Sequence, residues 1–276
     1  MDRQDVCILI NSTPKYFYLL PLQLTLLRRY APFLKWPVYF ATEVPEHPVA
    51  KQLETEFDIK ILPLPKEKEG FLESREAALR LLPSEILYVL PLQEDFLIDR
   101  PPNSKDLKDA LFILDTDRTV SSLRLMPCPG PHDSDTLYVN EKPWRILGPR
   151  NTYLFTYQAT LWRRMDLTTY FSSLLYSIQK DFGEKSTQDK KYLALTNNVG
   201  ENHYGQKVLR NCLKDTLHLC WPRAHQNPNA VYLCPWPYRP TAVTRGKLEP
   251  FANELFYREG VKFERPTGNT LDSTTS

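Results

Sequence analysis

The chain is short of glycine, with 9 against 24 prolines in 276 residues. It carries no clustered glycines of the kind that cradle a phosphate in a Rossmann or P-loop turn, and Gly246-Lys247 lacks the upstream glycine a P-loop needs. A bound nucleotide would have to be held by another device, in loops stiffened by proline. The five cysteines (Cys7, Cys128, Cys212, Cys220 and Cys234) are odd in number and scattered, which points to free thiols in a reducing compartment. Their spacing to His218 and His225 fits neither paired zinc knuckles nor a two-Cys, two-His finger. Long apolar runs are missing too: 16–27 is broken by Pro21, Gln23 and Thr25, and the charged start lacks the apolar stretch of a secretion signal. Charge is not in excess, with 35 basic against 33 acidic residues and no Lys/Arg block. The expectation is a cytoplasmic protein with no membrane span and no nucleic-acid partner.

What is present is a folded globule, at 42% hydrophobic residues with 15 tyrosines. Residues 6–10 form an apolar run closed by a polar turn, which predicts a strand. Helical spacing covers 16–30, with Leu19, Leu20, Leu24 and Leu27 along one side. Further strands are predicted at 37–41, 59–62 and 87–92, with a helix over 69–82. Beyond them come a helix over 104–115, strands at 120–126 and 153–161, a helix over 166–179, and partial helix over 192–219. Strands alternating with helices predict an α/β fold with a mostly parallel central sheet flanked by helices. We expect one domain over 1–265 and a flexible tail over 266–276.

The most informative stretch is Leu87-Tyr88-Val89-Leu90-Pro91-Leu92-Gln93-Glu94-Asp95-Phe96, an apolar run ending in two adjacent carboxylates. A buried strand that delivers acids at its carboxyl end presents them to the ligand crevice of an open sheet. Mg²⁺ or Mn²⁺ needs only one or two carboxylates besides phosphates and waters, which Asp95 with Glu94 satisfies. Two solvated carboxylates at a strand end are the bland alternative. The turn Asn11-Ser12-Thr13 after the first strand offers side chains to a base or ribose, or else an N-cap. Asp181, Glu184 and Asp189 are carboxylates for an acceptor hydroxyl, with Glu184 favoured because Phe182-Gly183 can tether it inward. A solvated polar loop would carry the same residues. Arg245 and Lys247 around Gly246 suit a diphosphate clamp.

Four segments together resemble a GT-A-type (Rossmann-like) glycosyltransferase, in particular small soluble ones of bacteria and large DNA viruses, chlorovirus-like. They are Ile8-Leu9-Ile10-Asn11-Ser12-Thr13 with Trp36-Pro37-Val38-Tyr39, Leu90-Pro91-Leu92-Gln93-Glu94-Asp95-Phe96-Leu97, Tyr157-Gln158-Ala159-Thr160-Leu161-Trp162-Arg163, and Ala242-Val243-Thr244-Arg245-Gly246-Lys247-Leu248. The resemblance implies a nucleotide-sugar donor, UDP-sugar favoured and UDP-xylose conceivable, bound by Asn11, Ser12, Thr13, Glu43, Arg75, Glu94, Asp95, Arg245 and Lys247. It implies a divalent cation (Mn²⁺ or Mg²⁺) at Asp95, although Gln93 stands where the first acid of the D-x-D pattern would be. A glycan acceptor would then meet Arg124, His132, Asp133, Tyr157 and Gln158. Glu184, or Asp181 aligned in its place, would be the base of an inverting displacement. A viral member would act in the host cytoplasm. The rival expectations are a nucleotidyltransferase of similar fold and a non-catalytic carbohydrate- or nucleotide-binding protein.

Overall fold

Strand β1 (Val6–Asn11) is buried along its whole length, as a near-continuous apolar run requires of a strand covered on both faces. It pairs in parallel with β2 (Val38–Thr42) on one side and β4 (Tyr88–Leu92) on the other, and β3 (Lys60–Pro63) adds in parallel outside β2. The computed structural model describes residues 1–68, 70–126, 136–138, 144–148, 151, 153–182, 199–221, 233–239, 241–244 and 246–262. Among these, β9 (Thr160–Arg163) lies antiparallel between β4 and β6 (Val120–Arg124), and β10 (Leu217–Cys220) runs parallel to β6. Two antiparallel strands, β8 (Arg145–Leu147) and β7 (Thr136–Tyr138), complete the order β3-β2-β1-β4-β9-β6-β10-β8-β7, and β5 (Leu97–Ile98) pairs outside it with β11 (Tyr238–Arg239). Only β9 and β8 oppose the rest, so the sheet is mostly parallel and the fold is α/β with a Rossmann-like sheet order.

Alternation along β1 divides the core between the two faces of the sheet. Val6, Ile8 and Ile10 join one cluster, with Leu24 of α1 (Leu20–Tyr30), Leu111 of α4 (Ser104–Thr116) and Phe256 of α7 (Pro250–Glu259). Cys7 and Leu9 join the other, with Leu79 of α3 (Phe71–Leu81), Phe171 of α5 (Arg164–Phe182) and Leu209 of α6 (His203–Cys212). Arg164 locks two of these elements together by donating from Nη1 to the carbonyls of Leu82 and Pro83, at 2.9 and 2.7 Å. Ser172 of α5 donates to Glu76 of α3 at 2.9 Å and accepts from Arg80 at 3.0 Å, which fixes the helix that carries Arg75.

Several expected elements are displaced. The helix expected over 16–30 is a 3₁₀ turn (Pro14–Leu19) followed by α1, because Pro21 has no N–H to give and is tolerated only in a helix's first turn. The strand expected over 153–161 is reduced to β9. α2 (Pro48–Phe57), capped by His47 Nδ1 accepting from the Val49 N–H at 3.2 Å, and the strand β10 were not foreseen. No helix among the described residues is long and apolar enough to cross a membrane. The tail expected over 266–276 lies outside the described residues.

Candidate functional site

β1 and β4 are neighbours in the sheet although β2 and β3 lie between them in sequence, so the chain leaves their carboxyl ends toward opposite sides and opens a crevice there. A cavity of about 720 Å³ fills it. Asn11, Ser12 and Thr13 line it from β1, Glu43 from the end of β2, and Gln93 to Phe96 from the end of β4. α3 adds Phe71, Ser74 and Arg75, and the segment before β9 adds Tyr157 and Gln158. The remaining wall is a hairpin of β12 (Val243–Thr244) and β13 (Lys247–Leu248), through Val243 and Gly246, with Thr241 just before it. Gly246 takes φ 73°, a left-handed conformation that glycine adopts without penalty. Thr241 holds φ 67° with a β-branched side chain, a strained position at the cavity wall.

The acidic turn is held by its own backbone. Phe96 N–H donates to the Gln93 carbonyl at 3.1 Å, and that carbonyl also accepts from Gln23 Nε2 at 2.6 Å. The Phe96 ring stacks on Tyr238 at 4.6 Å, and the Tyr238 hydroxyl both donates to Gln158 Oε1 and accepts from the Ala159 N–H at 3.0 Å. The hairpin is tied to this turn: Ala242 N–H donates to the Asp95 carbonyl at 3.3 Å, and the Val243 N–H serves the Asp95 carboxylate. Asp95 Oδ1 is buried with no hydrogen-bond partner among the described residues. Burial pushes the Asp95 carboxyl up to about 6, against the pull of the backbone N–H groups of Asp95 and Val243. Burial likewise pushes Glu94 up to about 7, opposed first by its own backbone N–H and then by Arg75, with Asp95 adding to the rise.

Arg75 is the cavity's counterweight. Its guanidinium lies 3.6 Å from the Phe71 ring centroid and donates to the Phe71 carbonyl at 3.1 Å. Among the described residues it has no carboxylate within ion-pair distance. Burial lowers its pKa, while Tyr157, Glu94 and Glu43 favour its charge. Most of its N–H fork therefore remains for a ligand, and Arg is the side chain suited to phosphate.

Asp95 and Glu94 are hard oxygen donors, and the orphaned Oδ1 is the kind of group a cation satisfies. No group of three or more His, Cys, Asp or Glu assembles among the described residues. A Mg²⁺ or Mn²⁺ held here would complete its shell with phosphate and water, which is that ion's habit.

Glu201 was absent from the expected site, yet its carboxylate lines the cavity. Its Oε1 accepts from Thr156 Oγ1 at 2.6 Å and from the Tyr157 N–H at 2.7 Å. The segment carrying it is clasped from several sides. Gln206 exchanges two hydrogen bonds with the Phe155 backbone, at 2.8 and 3.0 Å, and Tyr170 donates to the Gly200 carbonyl at 2.9 Å. Asn202 caps α6 by accepting from the Gly205 N–H at 3.1 Å. That cap, followed by apolar residues at helical spacing, was the available signal that Glu201 sits at a fixed turn.

Other expected residues stand elsewhere. Arg124 is only 1% exposed on β6, donates to the Tyr153 carbonyl and does not line the cavity. Asp181, at the end of α5, accepts from the Tyr204 hydroxyl at 2.7 Å and does not line the cavity. Lys247 is exposed on β13 beside Gly246 and is likewise not among the lining residues. Glu184, His132, Asp133 and Arg245 lie outside the described residues, as does Asp189.

No family model matches the chain, and no curated protein matches it. Solved structures resemble it in outline. 4-Diphosphocytidyl-2C-methyl-D-erythritol synthase from Anaerococcus prevotii shares 10% identity at a TM-score of 0.41, over 73% of this chain and 84% of that one. S. aureus TarS 1-349 shares 12% at a TM-score of 0.44, over 79% and 58%. The same TarS fragment in complex with UDP shares 14% at 0.42, over 63% and 55%. This chain thus spans less than two thirds of each TarS fragment. Likeness at this level says nothing of chemistry, which is read from the chain's own residues.

Proposed function

We propose that the protein is a glycosyltransferase that moves a sugar from a nucleotide-sugar donor, a UDP-sugar first, to a hydroxyl of a glycan. The observation that carries this reading is the pairing, in one crevice at the carboxyl ends of β1 and β4, of the unpartnered buried oxygen of Asp95 with the guanidinium of Arg75. Asn11, Ser12 and Glu43 supply hydrogen-bonding side chains for base and ribose at the β1–β2 side. The Thr13 side chain makes no capping bond to the turn it begins, so its hydroxyl is available too. Arg75 holds a phosphate by its fork, and Asp95 with Glu94 holds a divalent cation against the diphosphate. Such a cation, when bound, neutralises charge growing on the leaving diphosphate.

The carboxylate best placed to be the base is Glu201 rather than Asp181. Thr156 and the Tyr157 N–H both bind Oε1, which orients Oε2 as the proton acceptor. In an inverting displacement the acceptor oxygen gives its proton to Glu201 and forms a bond to the anomeric carbon. The bond from that carbon to the phosphate oxygen breaks, and its electron pair leaves with UDP.

The test is product analysis. UDP-sugars incubated with Mn²⁺, with water or an oligosaccharide as acceptor, should release UDP. Glu201→Gln should lower the rate by about 10²–10⁴-fold while donor still binds. Pyrophosphate from UTP and a sugar phosphate, without UDP release, would instead assign a nucleotidyltransferase. Binding with neither product would assign a non-catalytic binding protein.

A further inference from the structure

The Asp95 turn and the wall that carries Glu201 extend from neighbouring strands whose pairing stops short of the cavity. β4 and β9 are matched at Tyr88–Arg163 and Val89–Trp162, and Pro91, two residues beyond Val89, has no N–H to extend the ladder. Tyr238 of β11 spans the gap. It is fully buried, and it pairs with Ile98 of β5, just after the acidic turn. Its ring stacks on Phe96, the residue that follows Asp95. Its hydroxyl reaches the other side, where it accepts from the Ala159 N–H at 3.0 Å and donates to Gln158 Oε1. The Ala159 carbonyl is fixed in turn, accepting from the Leu125 N–H at 2.9 Å. Gln158 leads on to the base proposed above: its N–H donates to Thr156 Oγ1 at 3.3 Å, and Thr156 donates to Glu201 at 2.6 Å. Tyr238 thus joins the turn that carries Asp95 to the segment on which Glu201 is hung.

We propose that Tyr238 is a positioning residue for the transfer: its hydroxyl sets the place of residues 156–159, and of Glu201 with them, against the Asp95 turn. The inference rests on the glycosyltransferase reading and deepens it. In an inverting displacement the base meets the acceptor's proton on one side of the anomeric carbon while the diphosphate leaves on the other. The separation of the two walls is therefore what the protein has to fix, and a misplacement of about 1 Å costs roughly 10²-fold in rate. The same hydroxyl orients an amide. It has one hydrogen and gives it to Gln158 Oε1, so the Gln158 NH₂ is the end left to the cavity that this residue lines. Without the hydroxyl, the Ala159 N–H loses its partner and the amide is free to turn over, while the ring can still stack on Phe96.

The experiment compares the wild type with Tyr238→Phe, Gln158→Ala and the double variant. Calorimetric titration of UDP with Mn²⁺ present gives the donor-side affinity and the number of competent sites. UDP release from UDP-glucose, UDP-galactose, UDP-N-acetylglucosamine and UDP-xylose, with water as acceptor, is then expressed per competent site, so a partly unfolded variant does not distort it. Tyr238→Phe should bind UDP as the wild type does, yet turn over at least about 10-fold more slowly on the donor that the wild type uses best. Gln158→Ala should also slow turnover without weakening UDP. The double variant should lose less than the product of the two single losses, because both remove the same hydrogen bond. Unchanged turnover per site in Tyr238→Phe, even with fewer sites or weaker UDP, assigns the residue to architecture alone and overturns the inference. Single losses that multiply overturn it too, and either result leaves the transferase reading standing. If Tyr238→Phe does not fold, Gln158→Ala carries the test from the cavity side, and unchanged turnover there overturns the inference. A wild type that releases UDP from none of these donors overturns the transferase reading itself, and this inference with it.

Discussion

At the residue scale, burial governs the titrating groups on both sides of the sheet. His218 of β10 is 5% exposed, and its Nδ1 lies 2.8 Å from Ser122 Oγ. Burial lowers its pKa to about 4, with Arg124 adding to the effect. The native state thus keeps the imidazole neutral at a pH where the unfolded chain, with an ordinary histidine pKa of about 6.5, already binds a proton. Stability from this residue is whole above pH ~6.5 and falls as the pH drops toward ~4, by roughly 3 kcal/mol in all. Urea titrations of the wild type and His218→Gln from pH 7 to 4 should show the difference between them shrinking by about that amount. Carboxylates common to both proteins cancel in the difference. Parallel curves would mean that His218 is protonated in the fold. None of this was legible in the sequence, where His218 stood among scattered cysteines and histidines. Its burial depends on a strand pairing, β10 with β6, that no local pattern announces.

At the element scale, the parts of the site that were legible are those set by one local rule. An apolar run ending in Glu94 and Asp95 reads as a strand delivering acids to a crevice, and the polar turn at Asn11 reads as its neighbour. Helix α2 was missed although Pro48 at its start and Ala50, Leu53 and Phe57 at helical spacing marked it. Residues 217–219 were read as the end of a partial helix because so short a stretch, Leu217-His218-Leu219, has no decisive period. The strand expected from Tyr153 breaks up because side chains take over its backbone: Asn151 Oδ1 accepts from the Tyr153 N–H, Gln206 from Phe155 and Glu201 from Tyr157. That borrowing is what brings Glu201 to the cavity. Gly205 makes it possible, since a Cβ there would lie 2.1 Å from the Val199 carbonyl oxygen. Gly205→Ala should therefore push the 199–201 turn away from α6. The expected cost is about 1–3 kcal/mol in thermal unfolding, with a fall in transfer rate larger than any fall in donor affinity. An unchanged melting temperature with an unchanged rate would show that the turn adapts and that Glu201 is not held by this contact.

At the scale of the whole molecule, a parallel half-sheet and an antiparallel extension meet between β4 and β9, beside the crevice. The strands supply rigid edges, and the turn after β4 with Asp95, helix α3 with Arg75 and the turn before α6 with Glu201 meet around one volume. The measurement that bears most directly on this account is thermal unfolding of the wild type and Asp95→Asn with UDP, in the presence and absence of Mn²⁺. A ligand at about a hundred times its dissociation constant stabilises the fold by about 2.7 kcal/mol, or roughly 5–10 °C for a chain of this size. The account predicts a rise of that order for the wild type that needs both UDP and Mn²⁺, and its loss in Asp95→Asn. A wild-type protein that melts at the same temperature under all these conditions, or a variant that responds as the wild type does, would contradict it.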